Sequence, residues 1–268
     1  MTKLKLDPPR GILGEQPVPG DSSLGRYRPS PELAFFVEHY WTVTWQLAGA
    51  PAKRVETLPH PSVQLVFERG ATELGGVHTA KFSRLLEGDG FVFAVKFRPA
   101  SFHGFYRKDL ATLTDRRMSP ANIFGEDFHP LEAQVLAAAS TAQRIALTEN
   151  YLRSRLPAED PRAQQLNDLA TRIAQDPSIT RAEHLPPLCG IPLRQLQRLF
   201  RRYIGVSPKW VIMRYRIHEA LAQVHENRAG NWAALALDLG YADQAHFIRD
   251  FKSLVGATPR TYRARIGR

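Results

Sequence analysis

Two short stretches carry Arg and Gln at spacings that suit planar hydrogen bonding. In "LRQLQRLFRRYIG", residues 193–205, a helical wheel at about 100° per residue gathers Leu196, Leu199, Phe200 and Tyr203 on one side. Arg194, Arg198 and Arg201 point nearly opposite, with Gln197 beside them. In "DQAHFIRDFKSLVG", residues 243–256, Phe247, Phe251 and Leu254 make the apolar stripe. Arg249 and Lys252 lie opposite, His246 is on the flank, Gln244 is in the first turn, and Asp243 is a good N-cap. An Arg fork matches guanine O6 and N7, and a Gln amide matches adenine N6 and N7. Arg and Gln are also ordinary solvent-facing helix residues, so neither stretch alone decides between base reading and a solvated face.

The repetition decides it. "LPPLCGIPLRQLQRLFRRYIGVSP" and "LALDLGYADQAHFIRDFKSLVGATP" each have a short apolar helix, a Gly, a turn, and an amphipathic helix with Phe near its middle. A Gly and then Ser-Pro or Thr-Pro follow in both. Phe200 to Gly205 and Phe251 to Gly256 have the same spacing, and Pro208 and Pro259 follow each Gly by three. A helix, a Gly-containing turn and an outward polar helix form a helix-turn-helix. "SPKWVIMRYRIHEALAQVHEN", with Ser207 as N-cap and Pro208 at the first helical position, supplies the long helix between the two.

Charge follows the same division. Residues 161–268 hold 17 Lys and Arg against 8 Asp and Glu, a balance of +9 out of +10 for the whole chain. Residues 1–160 are near neutral at +1. A basic part attached to a neutral one suits contact with a polyanion. A boundary falls in "LPAEDPRAQQ", residues 156–165, where Pro157 and Pro161 flank an acidic turn. After it, Leu166, Leu169, Ile173 and Ala174 mark an amphipathic helix that stops near Pro177.

At this point the chain resembles the AraC/XylS family of bacterial transcriptional regulators. The resemblance covers roughly residues 162–266 and rests on "LRQLQRLFRRYIGVSP", on Arg216 within "RIHEAL", on "LGYADQAHFIRDFKSLVGATP" and on the closing "TYR" at Thr261 to Arg263. It implies seven helices and two helix-turn-helix units on one linker helix, reading two successive major-groove segments of a promoter. By that resemblance Arg194, Gln197 and Arg198 occupy base-reading positions of the first unit, and Gln244, His246 and Arg249 those of the second. Arg201, Arg202, Lys209 and Lys252 are expected at phosphates, which position a protein without reading sequence. The first unit departs from the family pattern: Pro186 and Pro187 stand in its leading helix, and Pro192 replaces the expected Ser or Thr cap. That leading helix is expected to be short or kinked.

The N-terminal half reads as a mixed α/β region, a small sheet or barrel followed by helices, so the fold class is α+β with an all-α C-terminal part. "SVQLVFERG" and "GFVFAVKFRP" look like strands. "KFSRLLEG" is a third, with Asp89-Gly90 expected to turn it into a hairpin. "SPELAFFVEHYWTVTW" begins with a cap signal near Ser30 and passes into an aromatic strand, and "LEAQVLAAASTAQRIALTENYLRSRL" reads as helix. The expected domains are 1–156, sensing or dimerising, and 162–266, DNA-binding. "YRPSPELAFFVEHYW", "LPHPSVQLVF" and "AVKFRPASFHGFY" resemble a regulatory domain that precedes such modules, which implies a sensing or oligomerising role.

Other chemistry is sparse. Cys189 is the only cysteine, which excludes an internal disulfide and makes a buried small hydrophobe its expected role. His60, His78, His103 and His129 are scattered and lack the close His-x-His pair of a cupin metal site, so no metal or cofactor is expected. No phosphate-binding loop, dinucleotide fingerprint, nucleophile elbow or HExxH occurs. Phe35, Phe36, Tyr40, Trp41 and Trp45 could line an apolar cavity, although core packing is their expected use. The expected partners are double-stranded promoter DNA, RNA polymerase, a small organic effector and a second copy of the chain. No membrane contact is expected, and the lack of a leader-like apolar stretch in "MTKLKLDPPR" points to the cytoplasm. The alternative is a small-molecule enzyme in the N-terminal half fused to a DNA-binding part.

Overall fold

The computed structural model describes residues 11–14, 22–226 and 230–266. Its N-terminal half is built on two facing sheets. The larger has strand order β2-β3-β8-β5-β6-β9, from β2 (Ser22–Tyr27), β3 (Val37–Leu47), β5 (Gln64–Phe67), β6 (Glu73–Gly75), β8 (Gly88–Phe97) and β9 (Arg117–Met118). The smaller has order β1-β4-β7, from β1 (Ile12–Leu13), β4 (Lys53–Thr57) and β7 (Phe82–Leu86). All pairings are antiparallel. Alternation assigns the faces of the larger sheet. Tyr40, Leu65, Phe67, Phe93, Val95 and Phe97 turn one way, into a fully buried aromatic core with Leu33, Phe102, Phe128 and Ile145. Trp41, Val43, Trp45, Val66 and Val92 turn the other way, toward the smaller sheet and Leu86.

Helices α1 (His103–Tyr106), α2 (Ala121–Phe124), α3 (Phe128–Ala137) and α4 (Thr141–Arg153) follow, and α3 and α4 cover the aromatic core. The structure corrects three expectations here. Asp89 and Gly90 do not turn a hairpin: they lie inside β8, and β7 and β8 belong to different sheets. Gly90 is needed because a Cβ there would sit 2.3 Å from the Trp45 ring. The Ala-rich stretch is two helices, divided at Ala138, whose backbone is extended, and Ser140, whose hydroxyl caps α4 by accepting from Gln143 N. The two sheets remain open, so the small-sheet expectation holds and the barrel does not.

The C-terminal half is helical, comprising α5 (Pro161–Gln175), α6 (Pro186–Cys189), α7 (Leu193–Tyr203), α8 (Pro208–His225), α9 (Trp232–Asp238), α10 (Gln244–Val255) and α11 (Pro259–Ile266). Helix α5 begins earlier than expected, at Pro161, because the Asp160 carboxylate accepts from Arg162 N at 2.8 Å. The leading helix α6 is a single turn, as its two prolines require. Cys189 is half-buried rather than buried, its thiol bonded to Leu185 O at 3.3 Å. Helix α8 serves two cores: Val211 and Ile212 pack with Leu166, Leu196 and Phe200, while Ile217, Leu221 and Val224 pack with Phe247, Phe251 and Tyr262.

The halves share these cores. Val77 and Ala100 join the first, and Leu13 and Leu58 join the second. Asn167 of α5 is fully buried, accepts from Ala100 N at 2.9 Å and donates to Ser101 Oγ at 2.7 Å. Thr114 Oγ1 donates to Gly205 O at 2.8 Å. Buried polar groups so paired fix one docking geometry, because misalignment would strand them without partners.

Candidate nucleic-acid interface

The outward faces of α7 and α10 are held by the apolar stripes beneath them. In α7, Leu196 and Phe200 are fully buried and Tyr203 nearly so. Arg194, Gln197, Arg198 and Arg201 are exposed. Pro192 occupies the cap position without a side-chain hydrogen bond, so the first turn of α7 lacks the cap that α10 has. In α10, Phe247 and Phe251 are fully buried with ring centroids 5.7 Å apart. Asp243 caps the helix, accepting from His246 N at 2.7 Å. Gln244, His246, Arg249 and Lys252 are exposed. Arg194, Arg198, Arg249 and Lys252 make no ion pair among the described residues, so their charges are available to an anionic partner.

Two of the expected contacts are already engaged. His246 Nε2 lies 3.5 Å from Asp250 Oδ2, and its ring meets Tyr241 edge-on at 5.1 Å. This fixes the ring on the flank of α10. Arg202 leans toward the N-terminal half: its Nε is 3.4 Å from His103 Nε2 and 3.9 Å from Asp109 Oδ1. Lys209, in the first turn of α8, is exposed. Both turns close by the expected chemistry. Gly256 ends α10 at φ +86°, and Ser207 caps α8 by accepting from Trp210 N at 3.2 Å. Gly240, in the turn of the second unit, has φ +79° and no room for a side chain, since a Cβ would lie 2.2 Å from Thr180.

The linker helix α8 is clasped from both sides by Arg216, on which the sequence resemblance rests, and by Arg214 and His218, which sequence reasoning did not single out. Arg216 Nη2 donates to Ile173 O at 2.5 Å and to Asp176 O at 3.2 Å, tying α8 to the end of α5. Arg214 is 1% exposed and reaches the N-terminal half, where its Nη2 donates to Thr79 O at 2.5 Å. Burial lowers the Arg214 guanidinium to about 10, against the opposing pull of Asp115. Its plane lies 4.4 Å from the Trp210 ring. His218, fully buried, donates from Nε2 to Leu58 O at 2.9 Å, and the His60 ring stands 4.5 Å from it. For Arg214 and His218 the only sequence signal was a charged or imidazole side chain at positions where the helix pattern of α8 calls for apolar ones.

A cavity of about 790 Å³ lies between the two sheets. Its lining includes Trp41, Trp45, Ser62, Gln64, His78 and Lys96, together with Leu58 and His60 from the clasp. Trp41 and Trp45 therefore line a cavity, whereas Phe36 and Tyr40 are core, so the aromatic segment divides between both uses. Burial disfavours ionised Glu38, but the Lys96 ammonium at 2.8 Å and His39 outweigh it and hold the carboxyl well below the usual range. Among the described residues no cluster of three or more His, Cys, Asp or Glu is placed to hold a metal, and no helix is long and apolar enough to cross a membrane.

A helix-turn-helix domain family matches residues 189–265, which takes in α7 through nearly all of α11. Residues 189–265 are a helix-turn-helix domain. A domain of unknown function, DUF6597, matches residues 25–119. Over 101 residues the chain is 29% identical to an uncharacterized HTH-type transcriptional regulator of Haemophilus influenzae (strain ATCC 51907 / DSM 11121 / KW20 / Rd), covering 37% of this chain. The chain spans only 34% of the length of that curated relative. A crystal structure of a transcriptional regulator of Chromobacterium violaceum, described with AraC-type DNA-binding domain-containing proteins, aligns over 39% of this chain and 94% of that one, at 21% identity and a TM-score of 0.36. ToxT from Vibrio cholerae O395 aligns over 92% of this chain and 98% of its own, at 10% identity and a TM-score of 0.38. In this helix-turn-helix domain both amphipathic helices keep the outward Arg and Gln side chains exposed.

Proposed function

We propose that the chain is a sequence-specific DNA-binding transcription regulator. Its C-terminal domain, residues 162–266, reads two successive major-groove segments of a promoter. Arg194, Gln197 and Arg198 read bases in one segment, and Gln244, His246 and Arg249 in the other. Arg201, Lys209 and Lys252 contact phosphates. The observation that carries this reading is the pair of exposed, Arg-bearing helix faces mounted on one linker helix whose two ends sit in separate buried cores. Each core fixes one recognition helix relative to α8, which is what register on a duplex demands.

Residues 1–156 form the regulatory domain, with the cavity between its sheets as the site of a small organic effector. Its volume lies within the roughly 300–1,000 Å³ usual for ligand sites. Leu58, His60 and His78 support the regulatory part of the reading, because they line the cavity and also touch or hold α8. The test is titration of the full chain against promoter and scrambled duplexes over a range of salt. Specific binding should exceed non-specific binding by at least about 10³-fold and should weaken steeply with salt. Equal affinity for both duplexes would make the chain a non-specific nucleic-acid binder and overturn the proposal.

A further inference from the structure

The cavity between the sheets has a distinct distribution of polar groups. Its carboxylates are already matched: Glu38 with Lys96 at 2.8 Å, Glu73 with Arg117 at 3.1 Å, Glu56 with Lys81 at 2.8 Å, and Glu68 with both terminal nitrogens of Arg84. The remaining lining cations do not offer a buried free charge. Arg54 is exposed and donates to Ser83 Oγ, Lys53 is half-exposed at the start of β4, and Arg26 has its own interactions. A charged ligand would have to break one of these pairs or enter without a counter-charge, and both are costly away from water.

What remains open is neutral. Ser62 Oγ is buried, lines the cavity and has no hydrogen-bond partner among the described residues. Two residues further on, at the start of β5, Gln64 Oε1 accepts from Trp41 Nε1 at 2.9 Å, which leaves the Gln64 NH₂ for another acceptor. Gln64 pairs directly across the sheet with Gly75, and the missing side chain there leaves space beside His78, whose Nε2 would stand 3.5 Å from a Cβ at Gly75. Burial, reinforced by Arg117, pushes the His78 imidazole down, so it is neutral at pH 7. Gln64 and His78 thus meet beside one glycine, and together with Ser62 they line the cavity as uncharged donors and acceptors. An apolar part of the lining adjoins them: Trp41, Val43, Val55 and Val66 are only partly buried and pack against the group of Trp45, Leu86 and Val92. Both indole N–H groups are taken, by Gln64 and by Glu87 O, so these rings present faces and edges rather than donors.

We propose that this cavity binds an uncharged, ring-bearing organic molecule, with its ring against Trp41 and the valines and a neutral hydrogen-bonding edge at Ser62, Gln64 and His78. The proposal rests on the reading of the cavity as an effector site and deepens it. An amide, a hydroxyl or a heterocyclic N–H and C=O edge meets the chemistry, because each can both donate and accept.

The test is calorimetric titration of the full chain, without DNA, against three probes that share an indole body. Indole-3-acetamide is neutral, indole-3-acetate is anionic and tryptamine is cationic. The amide should bind, and at least about tenfold more tightly than either charged probe. Ser62→Ala should weaken amide binding roughly three- to tenfold, the worth of one hydrogen bond. It should leave the melting temperature of the free protein unchanged or higher, since the hydroxyl has no partner to lose. A charged probe binding as tightly as the amide, or Ser62→Ala leaving amide affinity unchanged, would overturn the ligand class. No binding by any probe at about 1 mM, the weak end for molecules this size, would overturn the effector site itself. None of these results touches the DNA-reading proposal, which is measured separately.

Discussion

Arg249 and Lys252 sit one turn apart on the exposed side of α10, and their removal should have different consequences. A base-reading Arg contributes roughly 1–3 kcal/mol of discrimination at its own base pair, whereas a phosphate-binding Lys weakens all sequences about equally. Arg249→Ala should therefore relax preference at one or two adjacent base pairs. Lys252→Ala should keep the preferred sequence and reduce the slope of log affinity against log salt by about 1. Binding titrations at several salt concentrations separate the two. The imidazoles of His78 and His103 give a further prediction. Burial lowers both, followed by Arg117 for His78 and Arg202 for His103. A base with a depressed folded-state value takes up its proton more readily when unfolded. Stability should therefore hold above about pH 6.5 and fall as the pH drops below it. His103 stacks on Tyr203 at 4.1 Å between the halves, so the loss should be smaller in His103→Phe. Thermal melts at pH 7.5 and 5.5 check this, and an unchanged pH dependence in that variant would contradict it.

The elements differ in how openly the sequence announces them. Phe200, Phe247 and Phe251 lie fully buried where the 3.6-residue period put them. Ser207, Asp243 and Gly256 cap or stop helices where their types suggested. These are local signals, carried by each residue and its near neighbours. The hairpin at Asp89-Gly90 failed for the opposite reason. Whether β7 pairs with β8 or with β4 depends on contacts some thirty residues away, such as Arg54 opposite Leu85, which no local pattern encodes. The cavity was half legible: aromatic residues were seen, but the sheet that divides Tyr40 from Trp41 was needed to assign one to core and one to lining. Phe251→Ala should destabilise the chain by roughly 3–5 kcal/mol, the usual result of emptying a buried ring site. Gly240→Ala should destabilise it without touching any exposed face, by about 1–3 kcal/mol from the backbone alone, with the contact at Thr180 adding more. Chemical denaturation of both variants tests the packing, and a wild-type midpoint for either would show that the turn or the stripe is not as described.

At the scale of the whole molecule, the exposed recognition faces and the sheet cavity meet at α8. Leu58 O holds His218 and Thr79 O holds Arg214, so the N-terminal half grips the helix that spaces the two recognition units. A fragment from about residue 160 onward keeps both recognition helices and should retain sequence-specific binding. It should melt below the full chain, because Leu13, Leu58, Val77 and Ala100 no longer cover the two cores. From the charge balance, +9 in the C-terminal part and +1 before it, the salt-dependent affinity should reside in this fragment. Promoter binding by the N-terminal half alone, as strong as by the fragment, would contradict that division. The central claim is that two outward helix faces read bases, and a randomised-site binding selection on the wild type, Arg194→Ala and Arg249→Ala tests it most directly. Each variant should lose preference in its own segment only, and the two affected segments should lie about one helical turn of DNA apart, roughly 34–36 Å. Identical preferred sequences for all three proteins would contradict it.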